Sequence, residues 1–574
     1  MGESGKEGGV KYLLIVGDFA DNMVSRFQIW YFAGFGETED FWSWTMIKIL
    51  ITDKLAQEGI DLINATEGAQ AVVKTGISED ELAKIIGEYD GLIIRSETKV
   101  MAKVLANPGK LKGIARAGVG VDNVDVTEAT RKGILVMNTP GGNTVSAAEH
   151  TMGLILAMSR NVVPACNSLK SGAWDRKKYM GNQLSNKVLG VIGLGRIGMA
   201  VAKIAKGFNM KILGYDPFAA PTEAEKLGVE ITDNLEQIFK ESDYITVHAP
   251  KNEQTLNMID APQIAMMKRS VRLINCARGG IINEDALYNA LAEKRIAGAA
   301  LDVFSAEPPA NVPFKELENC VVTPHLGAST EEAQIEVAVE AAQILVDALK
   351  GGPIRNAVNA PSVAGAMPPI VREYAELARR IGTLVSTIAP GHIKGVDVQY
   401  RGSIAEMAVE LVTLHFAIGL LQKHFDMPLN IVNVSVLAKE RGISINETKN
   451  AEARDVASSF SAKVTTDKVV RTVTGSVFGG KLLRIIEIDG FNIEMTPQGS
   501  VVVIFNEDRP GVIGSVGTLC GKHNINICTM GVGQKLAEHK AILAVSLDKA
   551  PDAKVIEEIG DLGFVNELYV CKLD

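Results

Sequence analysis

The chain of 574 residues is too long for one hydrophobic core, and its 47% hydrophobic content is ample for several domains. Its formal net charge of -9, with acidic and basic residues interleaved, excludes a broad basic surface for nucleic acid. The six cysteines form no CxxC pair, which argues against a metal site and a disulfide framework and indicates a soluble, cytoplasmic protein.

The first 45 residues differ in composition from the rest of the chain. They contain Trp30, Trp42 and Trp44, but neither the basic start and cleavage site of a signal peptide nor an apolar run that would span a membrane. At Met46 the sequence changes to MIKILITDKLAQEGIDLI, a strand pattern followed by a helix. We therefore interpret residues 1–45 as an atypical extension, with translation starting at Met46, and expect no membrane attachment.

Residues 46–143 alternate short apolar runs with helical patterns, which is typical of βα units on a parallel sheet. A helix pattern, TVSAAEHTMGLILAMSRNV, begins at Thr144 and leads to a second series of such units that ends near residue 330. The helix pattern that starts at Glu331 precedes a breaker-rich run, GGPIRNAVNAP, and is expected to pack back on the first domain. The sequence thus predicts two doubly wound, Rossmann-like α/β domains, comprising residues 46–143 with 331–361 and residues 144–330.

The remainder of the chain predicts two further domains. After the linker PSVAGAMPP, residues 362–499 combine one long helix, alternating strands (GVDVQYRG and KLLRIIEIDGFNIEM) and a central helix-rich segment, which indicates an α+β domain without a catalytic motif. Residues 500–574 follow the order βαββαβ, which is the ferredoxin-like unit.

The run VLGVIGLGRIG, residues 188–198, predicts a dinucleotide site. A buried strand leads into Gly193, Gly195 and Gly198 and then into a helix, and the next strand ends at Asp216. The glycines permit a tight turn, close approach of a pyrophosphate and close packing of the helix, while the acid accepts hydrogen bonds from the ribose hydroxyls. Because Asp216 would repel a 2'-phosphate and Pro217-Phe218 offers no arginine, the pattern favours NAD over NADP.

Three later strand patterns end in polar residues. Arg278 follows VRLIN, Asp302 and Glu307 follow GAAL, and His325 follows CVV. Because the carboxyl ends of parallel strands meet at one edge of a sheet, we expect these side chains to face the nicotinamide end of the dinucleotide. Hydride transfer at a secondary alcohol needs a base, a cation for a carboxylate and an anion that orients the base, which fits His325, Arg278 and Glu307. Asp302 is expected to bond the nicotinamide carboxamide.

The segments GLGRIG, GYDP, NCARGG, LDVFSAEPP and PHLGAST resemble those of the D-isomer-specific 2-hydroxyacid dehydrogenases, and the resemblance covers residues 46–360. It implies that the catalytic residues are Arg278, Glu307 and His325. It also implies NAD contacts, besides the three glycines, at Val119, Arg196, Ile197, Asp216, Ala249, Cys276, Asp302, Gly327 and Ala328. Several relatives carry threonine where Val119 stands, so contact there is expected through the backbone, as at Cys276.

Within that family, the chain is similar to enzymes that oxidise D-3-phosphoglycerate to 3-phosphohydroxypyruvate, the first step of L-serine biosynthesis. The resemblance places the phosphate at Arg95 and Ser96, where Arg116 offers a second guanidinium, and Asn143 and the amides near Val119 are expected to meet the carboxylate. Arg176, in the loop WDRKK, is expected to reach the neighbouring subunit's site in a homo-oligomer, either a dimer or a tetramer.

The tail from residue 362 to residue 574 resembles that of the long members of this group, which have an intervening domain and an ACT domain. ACT domains pair edge to edge and bind amino acids at the shared interface. The resemblance implies that L-serine meets Asn506, Asp508 and Asn526 as a feedback effector. Asn506 stands where some relatives have histidine or tyrosine, so a tail that only dimerises or serves as an oligomeric scaffold stays open.

Two other functions also stay open at this point. One is another D-2-hydroxyacid dehydrogenase, such as a glyoxylate or hydroxypyruvate reductase, which would not require a phosphate on its substrate. The other is an NAD-sensing binding protein like the corepressors that share this fold, against which the amino-acid-sensing tail argues.

Overall fold

A computed structural model of the chain describes residues 46–218, 221–309, 314–361 and 367–573. The predicted extension of residues 1–45, with its proposed boundary at Met46, lies outside the described residues, as does most of the linker after residue 361. Within the described ranges, no helix is long and apolar enough to cross a membrane.

Five parallel strands form the first sheet. They are β1 (Ile47–Ile51), β2 (Ala69–Val73), β3 (Gly91–Ile94), β4 (Gly113–Arg116) and β5 (Leu135–Asn138), in the order β2-β1-β3-β4-β5. The connecting helices are α1 (Gln57–Ala65), α2 (Glu79–Ile85), α3 (Ala102–Leu105) and α4 (Val126–Arg131), with a 3₁₀ turn at Ile86–Glu88. Every residue of β3 is buried, which explains the apolar run GLII, because helices cover both faces of such a sheet.

Seven parallel strands form the second sheet. In chain order its elements are α5 (Thr144–Ser159), α6 (Val162–Lys170), β6 (Val188–Ile192), α7 (Arg196–Gly207), β7 (Lys211–Tyr215), α8 (Pro221–Lys226), β8 (Val229–Ile231), α9 (Leu235–Glu241), β9 (Tyr244–Val247), α10 (Ala261–Met266), β10 (Arg272–Asn275), α11 (Glu284–Ala292), β11 (Gly298–Leu301) and β12 (Cys320–Val322). The strand order is β12-β11-β10-β9-β6-β7-β8, which reverses between β6 and β9. Ligands of such sheets bind outside the carboxyl ends of the strands at this switch point.

The second sheet departs from the sequence expectation in two places. The helix pattern that begins at Thr144 is not one helix: α5 ends at Ser159, and Asn161 takes a left-handed conformation with φ 52° before α6 begins. Asparagine tolerates this conformation better than most residues, which allows the helix to break at Asn161. The structure also has the three-residue strand β8, which is too short to show a periodic pattern in the sequence.

A long helix, α12 (Glu331–Leu349), returns to the first sheet, as the sequence predicted. Ala341 and Leu345 share a core with Ile49 and Ile93 of the first sheet. The helices α1 and α12 approach so closely that a Cβ at Gly59 would lie 2.7 Å from the Ala338 carbonyl oxygen. The polypeptide therefore crosses between the two α/β units twice, which leaves a cleft between them.

A mixed sheet of six strands follows. Its elements are α13 (Pro369–Ile388), β13 (Ile393–Gly402), α14 (Glu410–Leu421), α15 (Val434–Glu440), β14 (Ile445–Asn450), β15 (Ser458–Thr466), β16 (Val470–Phe478), β17 (Leu482–Ile488) and β18 (Phe491–Met495), with 3₁₀ turns at Ser403–Glu406 and Gln422–His424. The strand order is β14-β13-β15-β16-β17-β18, and only β13 and β14 are parallel. The prediction of a helix-rich centre was wrong for its second half, because residues 445–478 form three strands.

The last sheet is antiparallel and has the predicted βαββαβ order. Its elements are β19 (Gly499–Glu507), α16 (Val512–Lys522), β20 (Ile527–Lys535), β21 (Lys540–Leu547), α17 (Ala553–Gly560) and β22 (Val565–Leu573), with a 3₁₀ turn at Leu536–Glu538 and the strand order β20-β21-β19-β22. The face that its own helices leave uncovered packs on the preceding unit, since Val503 and Ile542 belong to the same core as Leu377 of α13. The two C-terminal units therefore share one hydrophobic core.

Candidate active site

The glycine turn between β6 and α7 has the geometry that a dinucleotide pyrophosphate requires. Gly193 has φ 94°, and a Cβ at Gly198 would lie 2.0 Å from the Gly193 carbonyl oxygen, so the packing of the turn demands both glycines. A Cβ at Gly195 would meet no described atom within 4 Å, so the protein itself does not require a glycine there. Gly195 precedes the 12-residue helix α7 without a side-chain cap, which leaves amide donors and open space for a phosphate. The residues present therefore fit NAD.

Asp216 ties the end of β7 to this turn. Its carboxylate accepts hydrogen bonds of 2.8 Å from the amide of Leu194 and from the amide of Phe218. Each carboxylate oxygen keeps a further lone pair, because a carboxylate offers about four acceptor positions. The acid is thus rigidly placed beside the glycine turn, where it can accept from a ribose hydroxyl.

The imidazole of His325 and the carboxylate of Glu307 form a direct pair. His325 Nδ1 lies 2.7 Å from Glu307 Oε2, and the two side chains are 47% and 36% exposed. The other carboxylate oxygen of Glu307 accepts from the amide of Phe304 at 2.9 Å. Burial alone would raise the pKa of Glu307, but the hydrogen bonds from His325 and Phe304 outweigh it and hold that pKa below its usual value. An ionised Glu307 accepts a hydrogen bond from the N–H group at Nδ1, which leaves Nε2 facing the cleft as an acceptor.

The carboxylate of Asp302 is fully buried and organises the loop that follows β12. It accepts hydrogen bonds from the amides of Leu326 and Gly327, at 2.7 and 2.8 Å, and from the hydroxyl of Thr323 at 2.6 Å. His150 Nε2 of α5 lies 3.2 Å from the same carboxylate. The side chain predicted to meet the nicotinamide carboxamide is therefore engaged with the protein backbone, next to the predicted cofactor contacts at Gly327 and Ala328.

Three guanidinium groups, those of Arg95, Arg116 and Arg278, converge on the cleft side of the two α/β units. Burial and the neighbouring charges of Arg278 and Arg95 lower the pKa of Arg116 to about 10. The Nε atoms of Arg95 and Arg116 are buried and have no hydrogen-bond partner among the described residues. Like charges gathered with unpaired donors favour an anion, because a bound carboxylate or phosphate relieves both the repulsion and the missing hydrogen bonds.

A cavity of about 430 Å³ is lined by the guanidiniums of Arg116 and Arg278 and by the His325–Glu307 pair. Seven of the residues predicted from sequence line it: Arg116, Val119, Asn143, Arg278, Glu307, His325 and Ala328. The carboxamide oxygen of Asn143 is buried without a partner among the described residues, which adds an unpaired acceptor to the cavity wall. A larger groove of about 710 Å³ lies along α12, but Glu332, Glu336 and Glu340 line it, so it does not suit an anionic substrate.

The other predicted cofactor and substrate residues lie around this cavity or at strand ends. The Val119 carbonyl oxygen accepts from Asn138, and Arg196 and Ile197 begin α7. Ala249 and Cys276 follow β9 and β10, and burial raises the pKa of the Cys276 thiol to about 12, which makes it unreactive. Ser96 is exposed beside Arg95, whose amide donates to Asp53 at 2.5 Å.

Arg176 does not join the cleft of its own chain. It lies in an exposed loop after α6, next to Trp174, whose side chain is 76% exposed. A role at the cleft of another subunit is therefore the only arrangement in which the sequence prediction for Arg176 can hold.

The predicted effector residues are divided between the two ends of the last sheet. Asn506 is buried, with its side-chain oxygen unpaired among the described residues, and Asp508 accepts from Gln534 at 3.0 Å. Strand register places Asn506 and Gln534 opposite Ala541, whereas Ile527, which follows Asn526, pairs with Leu547. At a rise of about 3.3 Å per residue, Asn526 is therefore roughly 25 Å from Asn506 in the same chain.

Sequence reasoning did not assign three polar residues of the cavity wall: Asp122, Lys251 and Ser305. Asp122 stands in the run GVGVDNVD, and its carboxylate lies 3.0 Å from Nε of Arg278 in the other α/β unit. The position of Asp122 shortly after the end of β4 could have marked it as a site residue. No periodic pattern in a sequence, however, identifies a partner across a cleft. In the described part of the chain, no group of three or more His, Cys, Asp or Glu side chains is arranged to hold a metal ion.

The strand order, the glycine turn and the polar cleft define an oxidoreductase of the NAD-dependent dehydrogenase class. Three family descriptions match the chain: the NAD binding domain of D-isomer specific 2-hydroxyacid dehydrogenases at residues 152–327, the D-3-phosphoglycerate dehydrogenase intervening domain at residues 370–489, and the ACT domain at residues 500–564.

Relatives of known name cover nearly the whole chain. A D-3-phosphoglycerate dehydrogenase of Synechocystis sp. is 43% identical over 93% of this chain and 96% of its own length. That of Methanocaldococcus jannaschii is 40% identical over 92% of this chain and 100% of its own length. The TT0316 protein from Thermus thermophilus, a solved structure, is 33% identical with a TM-score of 0.51 and covers 54% of this chain and 100% of its own. The chain belongs to the D-3-phosphoglycerate dehydrogenase family.

Proposed function

We propose that the protein oxidises D-3-phosphoglycerate to 3-phosphohydroxypyruvate with NAD, the first step of L-serine biosynthesis. The observation that carries this proposal is the cavity in which the His325–Glu307 pair faces a cluster of guanidiniums. The name of the 43% identical relative supports the choice of substrate.

His325 acts as the general acid and base. Because Glu307 fixes Nδ1 as the donor, Nε2 takes the proton from the substrate hydroxyl as the carbonyl forms, and returns it in the reverse reaction. Glu307 also stabilises the imidazolium that results. When bound, NAD supplies the hydride acceptor, and Gly193, Gly195, Gly198 and Asp216 hold it.

The guanidiniums bind the two ends of the substrate. Arg278 engages the carboxylate and orients the C2 atom, with Asn143 and the backbone near Val119 on its other side. Arg95, Ser96 and Arg116 engage the phosphate. A phosphorylated hydroxyacid carries close to three negative charges at neutral pH, which matches the accumulation of cationic groups in this part of the cleft.

The remaining predicted cofactor residues surround NAD. Ile197 and Arg196 lie at the pyrophosphate, while Ala249, Cys276, Asp302, Gly327 and Ala328 form the wall toward the nicotinamide. These assignments are supported by the positions of the residues. All of them follow the carboxyl ends of β6, β9, β10, β11 and β12, at the edge of the sheet where the strand order reverses.

L-Serine is the proposed effector, and it binds between two chains. Because Asn526 lies about 25 Å from Asn506 by strand register, one chain cannot surround a molecule the size of serine with all three predicted residues. Two ACT units that pair edge to edge would bring Asn506 and Asp508 of one chain to Asn526 of the other.

A homo-oligomer, a dimer or a tetramer, also fits the surface of the second α/β unit. Four large apolar side chains are more than half exposed on α6 and the loop after it: Val162, Leu169, Trp174 and Met180. Soluble monomers rarely expose such a patch, so a second copy is expected to cover it. Arg176 stands in the same loop and would then reach the partner's cleft.

The domain division that we propose follows the predicted boundaries. Residues 46–143 with 331–361 bind the substrate, residues 144–330 bind NAD, residues 362–499 form the intervening domain and residues 500–574 form the ACT domain. The protein is proposed to act in the cytoplasm, where its six cysteines, all free in the structure, would stay reduced.

A steady-state assay of NADH formation tests the proposed function. D-3-Phosphoglycerate and NAD should give turnover, while D-glycerate, which lacks the phosphate, should give a kcat/KM lower by about 10²-fold, as expected for loss of contacts to two charged donors. Equal turnover of the two substrates, or activity only with glyoxylate or hydroxypyruvate, would reject this substrate assignment.

A further inference from the structure

An ion pair crosses the cleft between the two α/β units. Asp122, in the loop after β4 of the first unit, places its Oδ2 atom 3.0 Å from Nε of Arg278, which follows β10 of the second unit. The Arg278 side chain is 27% exposed, and that of Asp122 is 69% exposed. No other hydrogen bond or ion pair of Asp122 is found within the described ranges, so its contact in this structure is with the proposed carboxylate-binding arginine.

The guanidinium of Arg278 is held on one edge and open on the other. Besides the Asp122 contact at Nε, its Nη1 atom donates to the Ala277 carbonyl oxygen at 2.7 Å. A guanidinium carries five N–H groups, so three remain, all on the two terminal nitrogens. A carboxylate that binds bidentately would therefore meet the edge formed by Nη1 and Nη2. The Asp122 contact determines this choice of edge, because it occupies Nε.

The loop that carries Asp122 also makes room for the guanidinium. A Cβ added at Gly120 would lie 1.9 Å from Nη2 of Arg278 and 2.8 Å from the Asp122 carboxylate. Arg278 thus lies directly against the backbone of Gly120, inside a frame that the other α/β unit provides. Because the nearest obstacle is the end of a flexible side chain, alanine at position 120 would displace Arg278 without a backbone clash.

We propose that Asp122 is a positioning residue that aims Arg278 at the substrate carboxylate from across the cleft. This inference rests on the proposed function, since it requires a substrate with a carboxylate at this arginine. Asp122 fixes the rotation of the guanidinium, and the absence of a side chain at Gly120 lets the guanidinium lie against the backbone of the loop. The substrate-binding unit thereby sets the orientation of a group that belongs to the NAD-binding unit.

The test uses Asp122→Asn in the full chain. Loss of the charge-assisted hydrogen bond should raise the KM for D-3-phosphoglycerate by about 10-fold, while the KM for NAD stays within about twofold of wild type. Asp122→Glu should restore part of the loss, because it keeps the charge. Gly120→Ala, which moves Arg278 by a different route, should raise the same KM.

A double-mutant cycle shows whether Asp122 acts through Arg278. In an Arg278→Ala background, Asp122→Asn should cause no further loss in kcat/KM. The matched control is Asp125→Ala in the same loop, which removes the cap that Asp125 provides to the Glu128 amide of α4 and should lower thermal stability without changing the KM for the substrate.

The outcomes separate this inference from the proposed function. If the wild-type chain turns over D-3-phosphoglycerate but Asp122→Asn leaves its KM unchanged or lowers it, the positioning role is wrong and the proposed function stands. Losses that multiply in the Arg278→Ala background would also overturn it. A wild-type chain without activity on D-3-phosphoglycerate would overturn both.

Discussion

The backbone amide of His325 donates a 2.8 Å hydrogen bond to the carbonyl oxygen of Asp302. His325 is held with φ 54°, a left-handed conformation that costs energy for a residue other than glycine. The Asp302 carboxylate accepts hydrogen bonds from the next two backbone amides of the same loop, those of Leu326 and Gly327. Asp302 therefore stabilises the strained loop that presents the imidazole.

Asp302→Asn should weaken this loop. The amide would present an NH2 group to backbone donors, so we expect the free energy of unfolding to fall by about 1–3 kcal/mol and kcat to fall with it. Urea denaturation followed by circular dichroism measures the first effect and steady-state kinetics the second. The exposed Asp233→Asn serves as the control. Unchanged stability and kcat in the Asp302 variant would show that the loop does not depend on this carboxylate.

The stabilisation by Asp302 should depend on pH in a defined direction. Burial alone would raise the pKa of Asp302, but hydrogen bonds from His150, Thr323 and the two amides outweigh it and hold that pKa below its usual value. Because the unfolded-state pKa is about 3.9, the contribution is fully present above that value and is lost as the pH falls through the folded-state pKa. The stability difference between wild type and Asp302→Asn should therefore shrink below about pH 4. A difference that grows on acidification would contradict the pKa direction.

Glu307→Gln should impair turnover more than binding. Glutamine can still contact Nδ1 of His325, but it neither fixes the donor tautomer nor stabilises the imidazolium, so kcat should fall by about 10²-fold. Nicotinamide-cofactor binding, followed by quenching of protein fluorescence, should change little. A variant with wild-type kcat would remove Glu307 from the mechanism.

Asp216→Ser should weaken the preference for NAD. The substitution removes the charge that repels a 2'-phosphate and the acceptor for the ribose hydroxyls, so kcat/KM with NAD should fall at least about 10-fold while that with NADP rises. Because Asp216 also binds the Leu194 amide, thermal stability is measured alongside the kinetics. An unchanged ratio of the two kcat/KM values would show that residues other than Asp216 distinguish NAD from NADP.

Arg471 should stabilise the packing of the two C-terminal units against each other. This buried side chain of β16 donates to Asp489 at 2.8 Å, pairs with Glu567 of β22 and lies 4.4 Å from the Phe505 ring centroid. Arg471→Met would leave two acids without their cation and should cost about 2–4 kcal/mol in the free energy of unfolding.

The matched control for Arg471 is the exposed Lys522, which lies 3.2 Å from the half-buried Glu558. Lys522→Met should cost less than about 1 kcal/mol, because exposed ion pairs are weak. Equal losses in the two variants, measured by denaturant titration, would contradict the importance assigned to the buried arginine.

Serine binding should require residues from two chains. A chain with Asn506→Ala and a chain with Asn526→Ala should each bind no serine alone, whereas hybrids assembled from both keep one intact site. Calorimetric titration of the purified hybrid should therefore show about half of the wild-type sites. No binding in the hybrid, with full binding in wild type, would mean that one chain supplies both residues.

Sequence patterns predicted those features that depend on periodicity and on strand ends. The apolar runs GLII and GAAL identified buried parallel strands, and the residues that follow β10, β11 and β12 were correctly expected to meet at one edge of the sheet. The parallel topology makes this inference possible, because consecutive strand ends share one edge whatever the lengths of the connecting helices.

Other features depend on tertiary contacts that no local pattern encodes. Asp122 meets Arg278 only because two domains face each other, and the helix break at Asn161 is a left-handed backbone conformation within a helical sequence pattern. The separation of Asn506 from Asn526 follows from the strand register. That register is set by pairing in the sheet and not by spacing in the sequence. These are consequences of topology and require the folded chain.

The most direct measurement is the rate of NADH formation from D-3-phosphoglycerate by the wild-type chain and by His325→Ala, Glu307→Gln and Arg278→Ala. We expect robust turnover in the wild type, a loss of at least about 10²-fold in kcat for His325→Ala, and a rise in the KM for the substrate for Arg278→Ala. Wild-type kcat in the His325 variant would contradict the assignment of the imidazole that faces Glu307 as the general acid and base.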